Sequence, residues 1–526
     1  MIIINCKTII AGIFIAFLCT TLYACGDNDS DKDGGSEGSP GTTLVKPKFD
    51  RSTPLRNPLN GWVMYAARTA EPAYWDTEFY VPDLGKKVKA IDYASACYVR
   101  TSWTSLNPTD GVYTWKDKNT QIGRLIQGAL ERGVPIAFRI VVDGRDQGMN
   151  TPQFVFDAGA EYYLENAAYP TRITPIPQDP VFRQYYTKLI EALAQDFNDP
   201  GKCAFIDAYG LGKWGEAHNV IYEDPNTATG ANTEKLKEEV FEWVTDLYTR
   251  CFTNVPLVIN YHRVVGHPSS WENAANPNTD KLLARAINKG YSLRSDAFGM
   301  TDYYGSWERA FAKTWMYKRP IIMEGGWITG GTHRYWIDSS KKYRENHPED
   351  VRRGEFDTSA EAHVNMMDFR AGYETETWFT LCFGLVQRFI SEGGYRLYPD
   401  EIYLPENINK GSRITINHRW RNAGWGYFPN NIPQWNYKYK VAFALLDSND
   451  HVKQVFIDPD SEPSTWLKEN PTSYDLKTTA DVPAGNYTWA VAIVDTKAGN
   501  QPAIQLALSD KKTADGWVKL LDVQVK

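Results

Sequence analysis

Ala204-Phe205-Ile206-Asp207-Ala208-Tyr209 runs into Gly210-Leu211-Gly212-Lys213-Trp214-Gly215-Glu216, and Pro320-Ile321-Ile322-Met323 runs into Glu324-Gly325-Gly326-Trp327. Each stretch is a short apolar run that ends in glycine, an acid and an indole, as a buried strand does when it delivers a carboxylate at its C-terminal end. Working outward, the same phrase recurs from about residue 57 to 395, with apolar runs at 61–66, 94–100, 135–142, 204–209, 256–261, 297–303, 320–324 and 377–383. Amphipathic segments at 121–132, 182–197, 234–253, 281–288 and 359–373 lie between them. In one of these, Phe182, Tyr185, Leu189, Leu193 and Phe197 recur at helical spacing. Strands alternating with helices imply parallel pairing through right-handed crossovers. Eight units predict a closed (β/α)8 TIM barrel, with a doubly wound sheet as the rival.

After residue 398 the pattern changes to short alternating strands at 414–420, 439–446, 452–457, 486–494, 504–508 and 518–525, which predicts an all-β sandwich. The partition is therefore 1–24 signal peptide, 25–45 acidic Gly/Ser tether, 46–400 barrel and 401–526 sandwich. The signal peptide rests on an apolar run from Ile9 to Leu18 that is too short to span a bilayer comfortably. A net charge of −7 lacks the basic face that a nucleic-acid partner requires. No Gly-x-Ser-x-Gly elbow, phosphate-cradling loop or metal-ligand spacing is present, so neither cofactor nor metal is expected.

In a barrel, chemistry sits where strands end at the C-terminal face. Reading those positions gives Arg100, Trp103, Arg139, Trp214, Glu216, His218, His262, Tyr303, Glu324, Trp327 and Trp378. Two carboxylates on one face, ringed by donors and indoles, suit glycoside hydrolysis: a protonated acid serves the leaving oxygen, and a second carboxylate attacks or activates water. Against this, Arg100 and Arg139 would equally serve as ion-pair partners at the barrel mouth, and His262 as a structural histidine. A barrel without catalysis that captures glycan is the competing class. A platform formed by Trp420, Trp425, Tyr427, Phe428 and Trp435 is a further possibility, although packing against the barrel accounts for them equally.

Two resemblances follow from particular residues. Leu22-Tyr23-Ala24-Cys25 resembles a bacterial lipobox, and the acidic tether behind it resembles surface-export signals of the Bacteroides group. This implies lipidation of Cys25, a cell-surface or outer-membrane location, and membrane contact through that anchor alone. Trp103-x-x-Leu106-Asn107-Pro108-x-Asp110-Gly111-x-Tyr113-x-Trp115, with glutamates after strands four and seven, looks like the retaining barrel-glycosidase clan of β-galactosidases, β-mannanases and cellulases. That likeness spans about residues 57–395. It implies an oligo- or polysaccharide substrate, Glu216 as acid/base, Glu324 as nucleophile, Arg100 and Tyr303 supporting Glu324, and Trp378 as a sugar platform. Gly215 stands where the clan has asparagine, which leaves inversion open. Trp214-Gly215-Glu216-Ala217-His218 is closer to poorly characterised barrel families fused to a β-sandwich.

Overall fold

The computed structural model describes residues 38–67, 72–143, 148–164, 168–169, 171–227, 229–230, 232–262, 279–298, 304–328 and 341–526. Eight parallel strands close a barrel in chain order: Gly61–Ala67, Ala94–Ser102, Ile136–Val141, Cys203–Asp207, Leu257–Asn260, Tyr291–Ser295, Ile321–Met323 and Met366–Asp368. The eighth pairs with the first through Met367 opposite Trp62. The chain is a (β/α)8 barrel followed by a β domain.

Two barrel strands lie elsewhere than the apolar runs predicted. The sixth is Tyr291–Ser295 rather than 297–303, of which 299–303 falls outside the described residues. The eighth is the three-residue Met366–Asp368, inside a segment predicted as helix, whereas the predicted strand 377–383 begins in helix Tyr373–Thr380. Trp378 and Phe379 form that helix's buried face, so their apolar run records packing on the barrel's outside. Helix Pro348–Glu361 precedes the eighth strand.

The longest helix before the fourth strand illustrates how local sequence sets these elements. Asp179 accepts from the Phe182 N–H at 2.8 Å and Pro180 follows it, which together cap and start helix Pro180–Phe197. Phe182, Tyr186, Leu189, Ile190, Leu193 and Phe197 face the barrel, with Tyr186 rather than Tyr185 completing the stripe.

Within each strand, alternation sorts side chains between the helix layer and the barrel axis. Axial positions form two layers. The lower holds Tyr98, Ala137, Phe205, Val258, Ile322 and Met366, and its core is continuous with that of the β domain. Two residues further along the same strands stand Arg100, Arg139, Asp207, Asn260, Glu324 and Asp368. A charged layer therefore sits directly above an apolar one, facing the C-terminal mouth.

The β domain contains two sheets, one of Thr42–Val45, Leu397–Pro405, Arg413–Asn422 and Thr472–Thr479, the other built on Tyr439–Leu446, Val452–Ile457, Gly485–Asp495 and Val518–Val525. The end of the predicted tether is thus a strand of this domain, and residue 400 falls inside another. Facing residues such as Ile416, Trp420, Phe443 and Trp489 share one core. The domain closes the barrel's lower end, where the Asn365 side chain donates to Leu59 O and Tyr427 O. Trp420, Trp425, Tyr427, Phe428 and Trp435 are all buried, and none forms an exposed platform.

Candidate active site

Arg139 organises the charged layer. Its Nε donates to Asp207 at 2.7 Å, one terminal nitrogen to Glu216, and the other to Glu324 at 2.9 Å. Glu324 is fully buried and also pairs with Arg294 and Arg370. Tyr98 donates to Asp207 at 3.0 Å and offers its ring to the Arg294 guanidinium, 4.3 Å from the ring centroid. Strands three, four, six and seven and the segment after strand eight therefore meet in one ion network.

The loop after strand four brings Glu216 back over the axis by an unusual backbone path. Gly210, Gly212, Trp214, Gly215, Ala217 and Asn219 all have positive φ. Three of these are not glycine, and such local strain concentrates at functional segments. Gly215 (φ +74°) explains the departure from the clan's asparagine: a Cβ there would meet Ile140 O at 2.9 Å and the Arg139 side chain at 3.3 Å. Its place is taken by the backbone's approach to Arg139.

Burial opposes ionisation of Glu216, but Arg139, a hydrogen bond from His218 and Arg100 outweigh it and hold the carboxyl below its ordinary range. Glu324 is likewise held low, burial being overcome by Arg139, Arg370 and Arg100. One guanidinium therefore favours the ionised form of both glutamates. The carboxyl pushed the other way is Asp296, first residue after strand six. Burial, Glu216 and Glu324 push it well above the ordinary carboxylate range, against Arg370 and Arg139.

Asp368 behaves similarly, burial lifting it to about 7 despite Arg370. Its Oδ1 accepts from the Gly325 and Arg370 N–H groups at 3.1 and 3.2 Å. The folded chain keeps this proton at pH values where the unfolded chain has lost it. Its contribution to stability is therefore full below about pH 4 and disappears as pH rises through about 7. Asp368→Asn preserves the Oδ1 bonds and is expected to flatten the fall in the urea midpoint between pH 5 and pH 8. Equal slopes in the two proteins would contradict this.

The other anticipated residues divide clearly. His218 Nε2 lies 3.3 Å from Glu216 Oε2 and 3.5 Å from the Asn260 side-chain nitrogen. His262 is fully buried, with Nδ1 2.9 Å from Glu308, and meets His218 edge-on at 5.7 Å between centroids. Arg100 and the half-buried Trp327 line a cavity of about 890 Å³ on the mouth side of strands two and three. Trp214 is half-buried with its ring against His218 and Lys213. Two expected sugar contacts are corrected. Trp378 is wholly buried against Trp62 and Arg352, and Trp103 is wholly buried against Phe182 and Tyr186, so neither has a face to offer.

The loop motif around Trp103 has an internal structural use. Trp103 donates to Asn107, Asn107 donates to Thr109 O and Val112 O, and Trp115 donates to Asp196. Tyr303 and Cys25 lie outside the described residues. Arg294, Asp296 and Arg370 were absent from the sequence reading. Their signals, Leu293-Arg294-Ser295-Asp296 and Met366-Met367-Asp368-Phe369-Arg370, sit on the two misplaced strands.

Glu216, His218 and Asp296 each bring a ligand-type atom within 4.8 Å of the others, the donor set that could hold a divalent cation. Arg139, already seated on Glu216, competes with such an occupant for that carboxylate. Arg100, Arg139, Arg294 and Arg370 face Asp207, Glu216, Asp296, Glu324 and Asp368, one negative charge in excess if all ionise.

No family model matches the chain, and no curated protein does. Among solved structures, the catalytic domain of β-amylase from Paenibacillus polymyxa is 10% identical, with 63% of this chain and 97% of that one covered at a TM-score of 0.40. A xylanase from Cellvibrio japonicus is 13% identical over 64% and 97%, at 0.38. Endo-glycoceramidase II from Rhodococcus sp. is 11% identical over 84% and 98%, at 0.33.

Proposed function

We propose that this chain is a glycoside hydrolase that cleaves a β-linked glycan or glycoside with two carboxylates. The observation that carries the reading is the seating of Glu216 and Glu324, from strands four and seven, on neighbouring nitrogens of one Arg139 guanidinium at the barrel mouth. Glu324, held ionised, is the nucleophile; Glu216, beside His218, is the acid/base. A shared guanidinium favours the short carboxylate separation of about 5–5.5 Å that goes with retention, over the ~6.5–9.5 Å that leaves room for water. Arg100 and Trp327 line the adjoining cavity, where a guanidinium and an indole suit hydroxyl groups and a sugar face.

A second reading, a non-catalytic barrel that captures glycan, draws on the complete burial of Glu324 among Arg139, Arg294 and Arg370. Incubation with 2-deoxy-2-fluoro glycosides bearing a dinitrophenyl leaving group separates the two. The proposal expects one covalent sugar per chain, on the peptide containing Glu324. Binding without labelling or turnover favours capture, and turnover that yields inverted product sinks the nucleophile assignment.

A further inference from the structure

Asp296 stands at the end of strand six, where its backbone N–H approaches Asn260 Oδ1 at 3.4 Å. The same Asn260 side chain donates to Glu216 O at 3.2 Å, so one amide stitches together the segments bearing the two acids. The Asp296 side chain shares the 4.8 Å cluster with Glu216 and His218, and the residue is 7% exposed. The charged groups around it are Glu216 and His218 from the loop after strand four, Glu324 from strand seven, Arg370 from beyond strand eight and Arg139 from strand three.

We propose that Asp296 is the third carboxyl of the reaction, storing the proton that Glu216 passes to the leaving oxygen. The inference rests on the hydrolase reading and supplies what that reading lacks. An acid/base group seated on Arg139 is an anion at rest and has no proton of its own to give. The neighbouring carboxyl is pushed the other way by burial and by Glu216 and Glu324.

The proton count closes. As Glu324 forms its bond to the anomeric carbon, the glycosidic C–O bond breaks with its electron pair going to oxygen. The Asp296 proton moves to the Glu216 carboxylate, and the leaving oxygen takes that same proton from Glu216, which leaves both carboxyls ionised. In the second half, water attacks the glycosyl carbon, the Glu324 bond breaks, and the water's proton returns through Glu216 to Asp296.

The test uses the full chain and two glycosides of one sugar, a dinitrophenyl glycoside whose leaving group needs no proton and a methyl glycoside whose leaving group does. Asp296→Asn is expected to lower methyl-glycoside turnover by about 10²–10⁴-fold, the usual worth of a positioned proton donor, and to slow the initial burst of dinitrophenolate, whose release needs no proton, far less. The alkaline limb of its pH profile moves to lower pH, where Glu216 alone loses its proton. Asp296→Ser is read in the same way should the asparagine variant fail to fold. Equal losses on both substrates, or an unmoved alkaline limb, overturn the inference while leaving the hydrolase reading intact. Activity lost on chelation and restored by a divalent cation overturns it in favour of a metal. Absence of turnover of any glycoside by the wild-type protein removes the hydrolase reading, and this inference with it.

Discussion

Arg139→Leu is expected to destabilise the folded chain by about 3–5 kcal/mol, the cost of stripping the partner from buried charges. Arg139 touches Asp207, Glu216 and Glu324, so one substitution removes a cation from three buried carboxyls at once. Arg294 and Arg370 still face Glu324, which keeps the effect within that range. The loss has a pH signature. Without Arg139 the three carboxyls titrate higher in the folded chain, so the deficit is smallest at low pH and grows as pH rises. Combining Arg139→Leu with Glu216→Gln should recover part of the loss, because neighbours in one network do not add. The urea midpoint measured across pH checks all three statements; a variant as stable as the wild type at neutral pH would contradict them.

Glu324→Gln and Glu216→Gln carry the largest expected effects on activity. Glutamine at 324 cannot form the glycosyl ester, and losses of about 10⁶-fold accompany removal of a nucleophile in well-studied hydrolases. It also leaves Arg139, Arg294 and Arg370 facing a neutral amide, so a stability loss should accompany the kinetic one. Glutamine at 216 removes proton delivery, worth about 10²–10⁴-fold, and that deficit should shrink for a dinitrophenyl leaving group. The contrast between the variants is the informative part. Glu324→Gln fails on both kinds of leaving group, whereas Glu216→Gln fails mainly on the poor one.

The barrel was legible in the sequence because six of its strands are long enough, or end in a sharp enough break, for the apolar run to stand out. Strand four before Gly210 and strand seven before Glu324 are the clearest cases. The eighth strand has only three residues, Met366–Asp368, and is outweighed by the richer apolar run of a helix that packs outside it. The sixth was displaced because Tyr291–Ser295 alternates apolar residues with Ser292 and Arg294, which a search for continuous apolar runs passes over. Those two displacements explain why Arg294, Asp296 and Arg370 went unread while Arg139, Glu216 and Glu324 did not. Trp103 and Trp378 mark the opposite error, since an indole near a strand end reads the same whether it faces a sugar or a helix. The positive-φ path from Gly210 to Asn219 is announced only by its glycines; Trp214 and Ala217 give no warning of it.

The most direct test of the account is turnover of a panel of aryl β-glycosides and plant or host polysaccharides by the full chain, with Glu216→Gln and Glu324→Gln beside it. The account predicts release of sugar from at least one substrate by the wild-type protein, near abolition on every substrate in Glu324→Gln, and a loss in Glu216→Gln that is largest on the poor leaving groups of the polysaccharides. Equal glycan binding by all three proteins, with no sugar released from any substrate, would contradict it.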